Sequence, residues 1–204
     1  PFDVITLSHS IFYFSNIPEL KKTINCNLKN GGILFIQIPN IIKNPVYALM
    51  GDQYFIFTLK SLLNIFNKSG YKFKVINDDN FPREILLVGI KQDKRSETKY
   101  NKDKSIEGAI SAMDQMKLKL ESINCRPLFV LGTTANAAYV DEIIGGRVDL
   151  FVDENSNKNK FRGKSVIHPE SLKRNDQTVI PYGKTGYEIQ RRLKKNYQGN
   201  YFVI

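Results

Sequence analysis

The feature that most constrains the fold is a strand–helix–strand unit within the first forty residues. The segment DVITL is apolar and β-branched and runs into small polar residues, as an inner strand of a parallel sheet does at its end. A helix is predicted next, because Asn16 can cap it, apolar residues recur every four positions from Leu20 to Leu28, and NGG at residues 30–32 can stop it. The apolar run GILFIQIP then predicts a second strand, which is expected to lie parallel to the first.

The rest of the first half, residues 1–90, continues this alternation. Thr58 is predicted to cap a second helix, which carries Leu62, Leu63 and Phe66. The segments KFKVIN and EILLVGI predict two more strands. Because the connecting NDDNFPR is too short for a crossover helix, these two strands are expected to pair antiparallel.

Residues 91–104, KQDKRSETKYNKDK, contain no aliphatic residue and predict a linker between two domains. The second half, residues 105–204, begins with an amphipathic bridging helix and then alternates strands such as PLFVLG with helices. This pattern predicts a small α/β domain with a mostly parallel sheet. Within it, NSNKNKFRGKSVIHPESL is predicted as a loop, and Thr185 and Glu188 stand at capping-box spacing before the last helix.

Composition limits the classes of function. No apolar run approaches the roughly 18 residues of a membrane span and no signal peptide is visible, so a cytoplasmic protein without membrane contact is expected. The distant Cys26 and Cys125, with only two histidines, suggest neither a disulfide framework nor a metal site. The formal charge of +10 raises nucleic acid as a partner, but the lysines are scattered and a solvated basic surface is expected instead. The sequence does not decide whether the chain forms a homo-oligomer.

In open parallel sheets, ligands bind beyond the carboxyl ends of the strands. Two loops of the first half occupy that position, a short one after DVITL and a long one from residue 40 to residue 57. A loop of that length in a compact domain is usually functional or disordered. The uncommitted polar and aromatic residues of these loops are the candidate site residues: His9, Tyr13, Asn40, Asp52, Gln53 and Tyr54.

The order of segments in residues 1–90, "FDVIT…H…IPEL…LKNGGILFIQIPN…GDQYFIFTLKSLLNIFNKSGYKF", resembles the C-terminal half of the catalytic domain of class I S-adenosylmethionine-dependent methyltransferases. Residues 105–204 resemble the C-terminal domain of sugar C-methyltransferases, through VLGTTANAA, FVDENSNKNKFRGKSVIHPESL and YEIQRRLKKNYQGNYFVI. The resemblance implies a partial Rossmann-like methyltransferase sheet followed by a second α/β domain. It also implies methyl transfer from S-adenosylmethionine to a sugar or nucleotide-linked sugar in polysaccharide or related biosynthesis.

Where these methyltransferases usually carry a Glu-His pair after the opening strand, this chain has Phe12 and Tyr13, with His9 three residues earlier. His9 or Tyr13 is therefore the candidate that removes a proton from a substrate hydroxyl or an activated carbon. A histidine near its ordinary pKa suits that task best. The alternative is structural: His9 satisfies strand-end carbonyls and Tyr13 belongs to the core.

The residues that hold the cofactor in this family, a glycine-rich turn and an acidic residue for the ribose, have no counterpart in this chain. The chain is therefore expected to begin inside the fourth strand of a larger catalytic domain. Residues 1–204 alone are expected not to bind S-adenosylmethionine well.

The second half offers a candidate nucleotide site of its own. Backbone N–H groups after Gly132, at the start of a predicted helix, could hold a phosphate, and Thr133 and Thr134 add hydroxyls. Asp153, which ends the next strand, is placed to meet a ribose. The cations that could balance a diphosphate are Lys158, Lys160 and Arg162. The alternative, a plain tight turn at Gly132, is the more common reason for a lone glycine before a helix.

Two other classes of protein fit parts of the sequence. The first is a non-catalytic α/β module that binds a nucleotide sugar or a partner subunit, which the missing glycine-rich turn favours. The second is a nucleic-acid methyltransferase. That class often has an Asn/Asp-Pro-Pro-Tyr-type motif where this chain has SHSIFYF, which weighs against it.

Overall fold

The computed structural model describes residues 1–67, 70–92, 103–155 and 157–204, and the chain divides into two compact units. The first unit comprises Pro1–Lys43 and Ala48–Ala109, and the second comprises Asn44–Tyr47 and Ile110–Ile204. Of the predicted linker, residues 93–102 lie outside the described residues, and Lys91 is the last residue of a strand. The division between the units falls instead within a helix, α3, Ser105–Glu121.

The first unit contains a four-stranded mixed sheet and two helices. Its elements are β1 (Phe2–Ser8), α1 (Ile17–Asn27), β2 (Leu28–Pro39), α2 (Leu59–Asn67), β3 (Tyr71–Ile76) and β4 (Glu84–Lys91). The strand order is β1-β2-β4-β3. The predicted parallel pairing of β1 with β2 and antiparallel pairing of β3 with β4 are confirmed, and β4 is also antiparallel to β2.

One face of this sheet is packed and the other is partly exposed. Leu7, Ile36 and Leu87 lie on the packed face and are buried. Both helices cover this face: Phe66 of α2 contacts Phe73, and the Tyr71 hydroxyl donates a hydrogen bond to Asn25 of α1. On the opposite face, Val4, Ile33 and Ile90 lie side by side across three strands, and each of them is exposed.

The prediction that the opening strand is an inner strand is wrong for this sheet, because β1 has only β2 as a neighbour and forms its edge. As a result, Phe2 and Val4 are 61% and 51% exposed. The NGG prediction is wrong too, since α1 already ends at Asn27 and residues 30–32 lie within β2. There the pairing with β1 shifts register, and Gly31 takes a φ of +75°, a backbone conformation that glycine adopts without strain.

The second unit contains a six-stranded sheet in the order β10-β9-β5-β6-β8-β7. Its elements are β5 (Leu128–Leu131), α4 (Ala135–Ile143), β6 (Leu150–Val152), β7 (Lys160–Phe161), β8 (Lys164–Ile167), β9 (Gln177–Ile180), α5 (Gly186–Asn196) and β10 (Asn200–Val203). The mostly parallel sheet is confirmed, since β7 alone among the described strands of this unit runs antiparallel to its neighbour. The prediction of a loop is wrong at residues 160–167, where a hairpin, β7–β8, extends the sheet.

Successive residues of β5 point to opposite faces of this sheet and enter two apolar clusters. Val130 packs in a cluster with Phe151 and with Val140 of α4. Leu131 packs in a second cluster with Ile180 and with Leu193 of α5. The sheet of the second unit is therefore covered on both faces.

Of the three predicted helix caps, the structure confirms two and contradicts one. The Asn16 side chain accepts a hydrogen bond from the Glu19 N–H at 3.0 Å, and Thr58 Oγ1 accepts one from the Ser61 N–H at 3.0 Å, so both predicted caps are confirmed. The capping box at Thr185 is wrong. Thr185 has helical dihedrals at the end of a 3₁₀ turn that runs into α5, and its side chain makes no capping bond.

Within the described ranges, no helix combines the length and the apolar character that crossing a membrane requires.

Candidate functional site

The candidate site of the first unit lies at the carboxyl ends of β1 and β2. His9 follows β1 with a φ of +48°, and its N–H donates a hydrogen bond to the Gln37 carbonyl at 2.9 Å. A positive φ is uncommon for a residue other than glycine and persists only where the surroundings enforce it. It places the imidazole of His9 against Glu84, with 3.5 Å between His9 Nε2 and Glu84 Oε2.

Glu84 reaches this position because β4 runs antiparallel to β2. Its first residue, Glu84, therefore pairs with Pro39, the last residue of β2. The side chain is largely buried, and its Oε2 accepts no hydrogen bond from any described residue. Burial raises the pKa of Glu84, and the neighbouring His9 and Arg83 only partly offset that effect.

His9 and Glu84 together form a histidine–carboxylate pair at the carboxyl end of β1, and in open parallel sheets ligands bind beyond the carboxyl ends of the strands. A carboxylate near one ring nitrogen favours the proton on that nitrogen and leaves the other nitrogen free to accept a proton. With Nε2 directed at Glu84, Nδ1 is the nitrogen that can act as a base. The pair can therefore take a proton from a ligand.

Three of the other predicted residues meet next to this loop and are called here the tyrosine cluster: Tyr13, Asp52 and Tyr54. The Tyr13 hydroxyl donates a hydrogen bond to Asp52 Oδ2 at 3.2 Å, and the Tyr54 N–H donates one to the Phe12 carbonyl at 3.0 Å. Partial burial and the Asp52 carboxylate raise the pKa of Tyr13. The long loop is thereby tied back to the residues that follow β1.

The structural alternative for Tyr13, a position in the core, is wrong. Its ring is about half exposed, whereas the preceding Phe12 is buried and packs edge-on against it. Tyr54 is more exposed still, at 66%. The tyrosine cluster thus presents two aromatic rings and one carboxylate to the outside.

Asn40 and Gln53 take different places. Asn40 follows β2, where its N–H donates to the Arg83 carbonyl at 2.8 Å and its side-chain oxygen accepts from the Ile42 N–H at 3.1 Å. The Nε2 of Gln53 is buried and has no hydrogen-bond partner among the described residues. Asn40 also lines a cavity of about 670 Å³, to which Glu84 contributes as well.

In the second unit, the predicted phosphate site is filled by the protein's own side chains. Gly132 has a φ of +90°, and a Cβ placed there would lie 2.2 Å from the Tyr182 hydroxyl oxygen. The Thr133 N–H and hydroxyl both donate to Asp153 Oδ2, at 3.0 and 2.8 Å. Thr134 Oγ1 lies 3.3 Å from the same Tyr182 hydroxyl.

The four residues predicted to bind a nucleotide therefore contact one another or Tyr182, which is a structural role: Gly132, Thr133, Thr134 and Asp153. The Asp153 carboxylate lies where the phosphate was expected, and an anion repels an anion at that distance. The balancing cation Arg162 is engaged elsewhere, since it donates to Asp141 at 2.9 Å and to Glu142 at 2.7 Å. A nucleotide at this site stays a prediction, and it would have to displace Tyr182.

The described residues do not fit S-adenosylmethionine at either place. In the first unit, no glycine lies between the end of β1 and the start of α1, and the single Gly51 lies between β2 and α2. In the second unit, Tyr182 occupies the open side of Gly132. Nor do the described residues hold a group of three or more histidine, cysteine or acidic side chains arranged to bind a metal ion.

Comparison with models of known protein families gives no match for this sequence, and the curated proteins contain no match either.

Glu84 is the site residue that sequence analysis missed. The signal was present, because an antiparallel EILLVGI strand places its first residue at the carboxyl end of its neighbour. The sequence did not determine which strands would pair with β4. In the structure β4 lies between β2 and β3, and this position brings Glu84 to His9.

Proposed function

We propose that the first unit binds and deprotonates the acceptor in a methyltransferase that uses S-adenosylmethionine and acts on a sugar or a nucleotide-linked sugar. The observation that carries the proposal is the contact between His9 and Glu84 at the carboxyl end of β1. In the resembling methyltransferases, a Glu-His pair follows the corresponding strand. Here an equivalent pair is assembled from residues 75 positions apart in sequence (84 − 9).

The acceptor would lose its proton to His9. Nε2 of His9 faces the Glu84 carboxylate, which orients the ring and stabilises the imidazolium that forms when Nδ1 takes the proton. Because Glu84 is largely buried, its interaction with that cation is stronger than it would be in water. When bound, S-adenosylmethionine supplies a methyl group on a sulfonium centre.

The tyrosine cluster supports a sugar as the acceptor. An exposed ring, such as that of Tyr54, offers an apolar face to the C–H side of a sugar, and the Asp52 carboxylate can accept hydrogen bonds from hydroxyl groups. The hydrogen bond from the Tyr13 hydroxyl to Asp52 Oδ2 orients both groups before a ligand arrives. Such fixed positions lower the entropic cost of aligning an acceptor.

The test is a transfer assay with a panel of nucleotide sugars and with methyl-labelled S-adenosylmethionine at millimolar concentration, so that a cofactor without micromolar affinity still reaches the acceptor. Glu84→Gln and His9→Gln should each lower the rate of labelling by about a hundredfold or more, the usual contribution of a positioned base. The matched control is Asp79→Asn, an exposed carboxyl in the connection just before β4. Full activity in both site variants would refute the role given to this pair.

A second candidate is a non-catalytic module that binds nucleotide sugars, and the poor fit to S-adenosylmethionine favours it. Thermal-shift measurements separate the two candidates. A shift with nucleotide sugars and none with millimolar S-adenosylhomocysteine, together with no methyl transfer, supports the module. A shift with millimolar S-adenosylhomocysteine supports the methyltransferase, whose cofactor is expected to bind this chain weakly.

A further inference from the structure

The cavity beside Glu84 differs in chemistry from the tyrosine cluster. It has a volume of about 670 Å³, within the range of sites that enclose a whole small molecule. It lies at the carboxyl ends of β2 and β3, next to the start of α2. Glu84 lines the cavity, whereas neither His9 nor any residue of the tyrosine cluster is among the described residues that line it.

The described lining of the cavity is half aliphatic and half polar. The aliphatic side chains are those of Ile41, Ile42, Leu59, Leu63, Val75, Ile76 and Ile85, the polar ones are those of Asn40, Lys43, Thr58, Lys60, Asn77, Glu84 and Ser105, and none of the described lining residues is aromatic. Nucleobases are usually held by stacking on aromatic rings, which these walls do not offer. The lining therefore favours a ligand with a saturated aliphatic part and a polar head group.

Two of these aliphatic side chains are also exposed without a ligand. Ile42 is 54% exposed and Val75 is 38% exposed, although both lie in the lining of a concave site. A bound aliphatic chain would remove this apolar surface from water, which is favourable in proportion to the area covered.

Two lysines of the lining can bind an anionic head group. Lys43 and Lys60 both line the cavity, and Lys43 forms no ion pair with any described residue. Lys60 interacts electrostatically with Asp103, whose carboxylate also accepts hydrogen bonds from the Thr58 hydroxyl and the Ser105 N–H. The carboxyl group in the lining is that of Glu84, which is paired with His9.

We propose that this cavity binds an aliphatic anion, a saturated chain that ends in a carboxylate or a phosphate. The chain lies among the isoleucine and leucine side chains, and the head group lies at Lys43 and Lys60. The proposal goes beyond methyl transfer and does not depend on it, because it uses no residue of the tyrosine cluster and no cofactor.

The experiment is isothermal titration calorimetry of the whole protein with octanoate, octyl phosphate and neutral octanol, each below its aggregation concentration. Octanoate or octyl phosphate is expected to bind more tightly than octanol, and the tighter of the two anions identifies the head group. The double variant Lys43→Met/Lys60→Met should weaken the binding of either anion by about tenfold or more and leave octanol unchanged. The matched control is Lys72→Met/Lys74→Met, two exposed lysines of β3 outside the cavity.

Ile42→Asp is the second variant, since Ile42 is exposed and its replacement does not disturb the core. The new carboxylate next to Lys43 should weaken anion binding to a similar extent. The proposal is overturned if neither anion binds, if the lysine variant binds both anions as well as the unmodified protein does, or if a nucleotide sugar displaces octanoate from this cavity. None of these results bears on whether Glu84→Gln abolishes methyl transfer, so the two proposals fail separately.

Discussion

At the scale of single residues, Glu84 combines a buried carboxyl oxygen with a histidine neighbour, and this combination has a measurable cost. Because the pKa of Glu84 in the folded protein lies above its ordinary value of 4.5, the folded state binds more protons than the unfolded state at pH values between 4.5 and that raised pKa. The free energy of unfolding therefore decreases as the pH rises through that window. A buried charge that serves only stability would be a poor choice at this position.

We predict that the unmodified protein loses stability relative to Glu84→Gln as the pH rises above 4.5, because glutamine has no proton to release. Urea unfolding of both proteins at a series of pH values measures the difference. Glu107→Gln, at an exposed position in α3, is the control and should show no such trend. A constant difference between Glu84→Gln and the unmodified protein across this range would mean that burial does not perturb Glu84.

Gly132 is the residue at which a single methyl group should matter most in the second unit. Gly132→Ala should lower the free energy of unfolding by about 2–4 kcal/mol, through a positive φ and a clash with the Tyr182 hydroxyl. Gly145→Ala is the matched control, since Gly145 also has a positive φ but open space around it, and it should cost only about 1–2 kcal/mol. If Tyr182→Phe does not recover part of the loss in the double variant, the clash is not its cause.

At the scale of elements, Asp141 joins α4 to the turn of the β7–β8 hairpin. Its side chain is only 7% exposed and accepts hydrogen bonds from Arg162 at 2.9 Å and from Lys164 at 2.6 Å. The sequence gives no sign of this contact, because it joins residues more than twenty positions apart. It explains how a stretch without apolar periodicity is held as two strands.

Asp141→Asn should lower the free energy of unfolding by about 1.5–3 kcal/mol, because it removes the buried carboxylate that accepts hydrogen bonds from the partly exposed cations Arg162 and Lys164. Glu142→Gln removes the other carboxylate that pairs with Arg162. Because the Glu142 side chain is 76% exposed, this substitution should change the free energy of unfolding by no more than about 0.5 kcal/mol. Denaturant unfolding measures both. Equal losses in the two variants would contradict the importance given to burial.

Some elements could be predicted from sequence and others could not. The caps at Asn16 and Thr58 were predictable because cap and partner lie three residues apart. The capping box at Thr185 failed because the preceding 3₁₀ turn gave that residue helical dihedrals, which no spacing rule detects. The β7–β8 hairpin failed because its polar strands are stabilised by Asp141 and by pairing with β6.

At the scale of the whole molecule, the first unit exposes apolar side chains on one face of its sheet. A parallel β-pair normally has both faces covered, yet Val4, Ile33 and Ile90 are exposed on one side. The described residues offer no glycine-rich turn next to His9.

We predict that a polypeptide of residues 1–204 does not bind S-adenosylmethionine or S-adenosylhomocysteine with micromolar affinity, because no described turn can approach a ligand closely enough. Calorimetry of the purified chain measures this directly. The titration with octanoate in the same cell serves as the positive control for a folded first unit. Micromolar binding of either nucleoside would show that a site without the glycine-rich turn suffices.

The amino-acid sequence by itself determined the alternation of strands and helices, the parallel pairing of β1 with β2 and the reversal of β4, because periodicity and connection length are local properties. The tertiary structure alone decided that β1 is an edge, that Glu84 meets His9, and that Asp153 binds Thr133. Each of these depends on strand order or on a contact between residues far apart in the chain. Such contacts are selected by the packing of the entire sheet, and no short window of sequence contains that information.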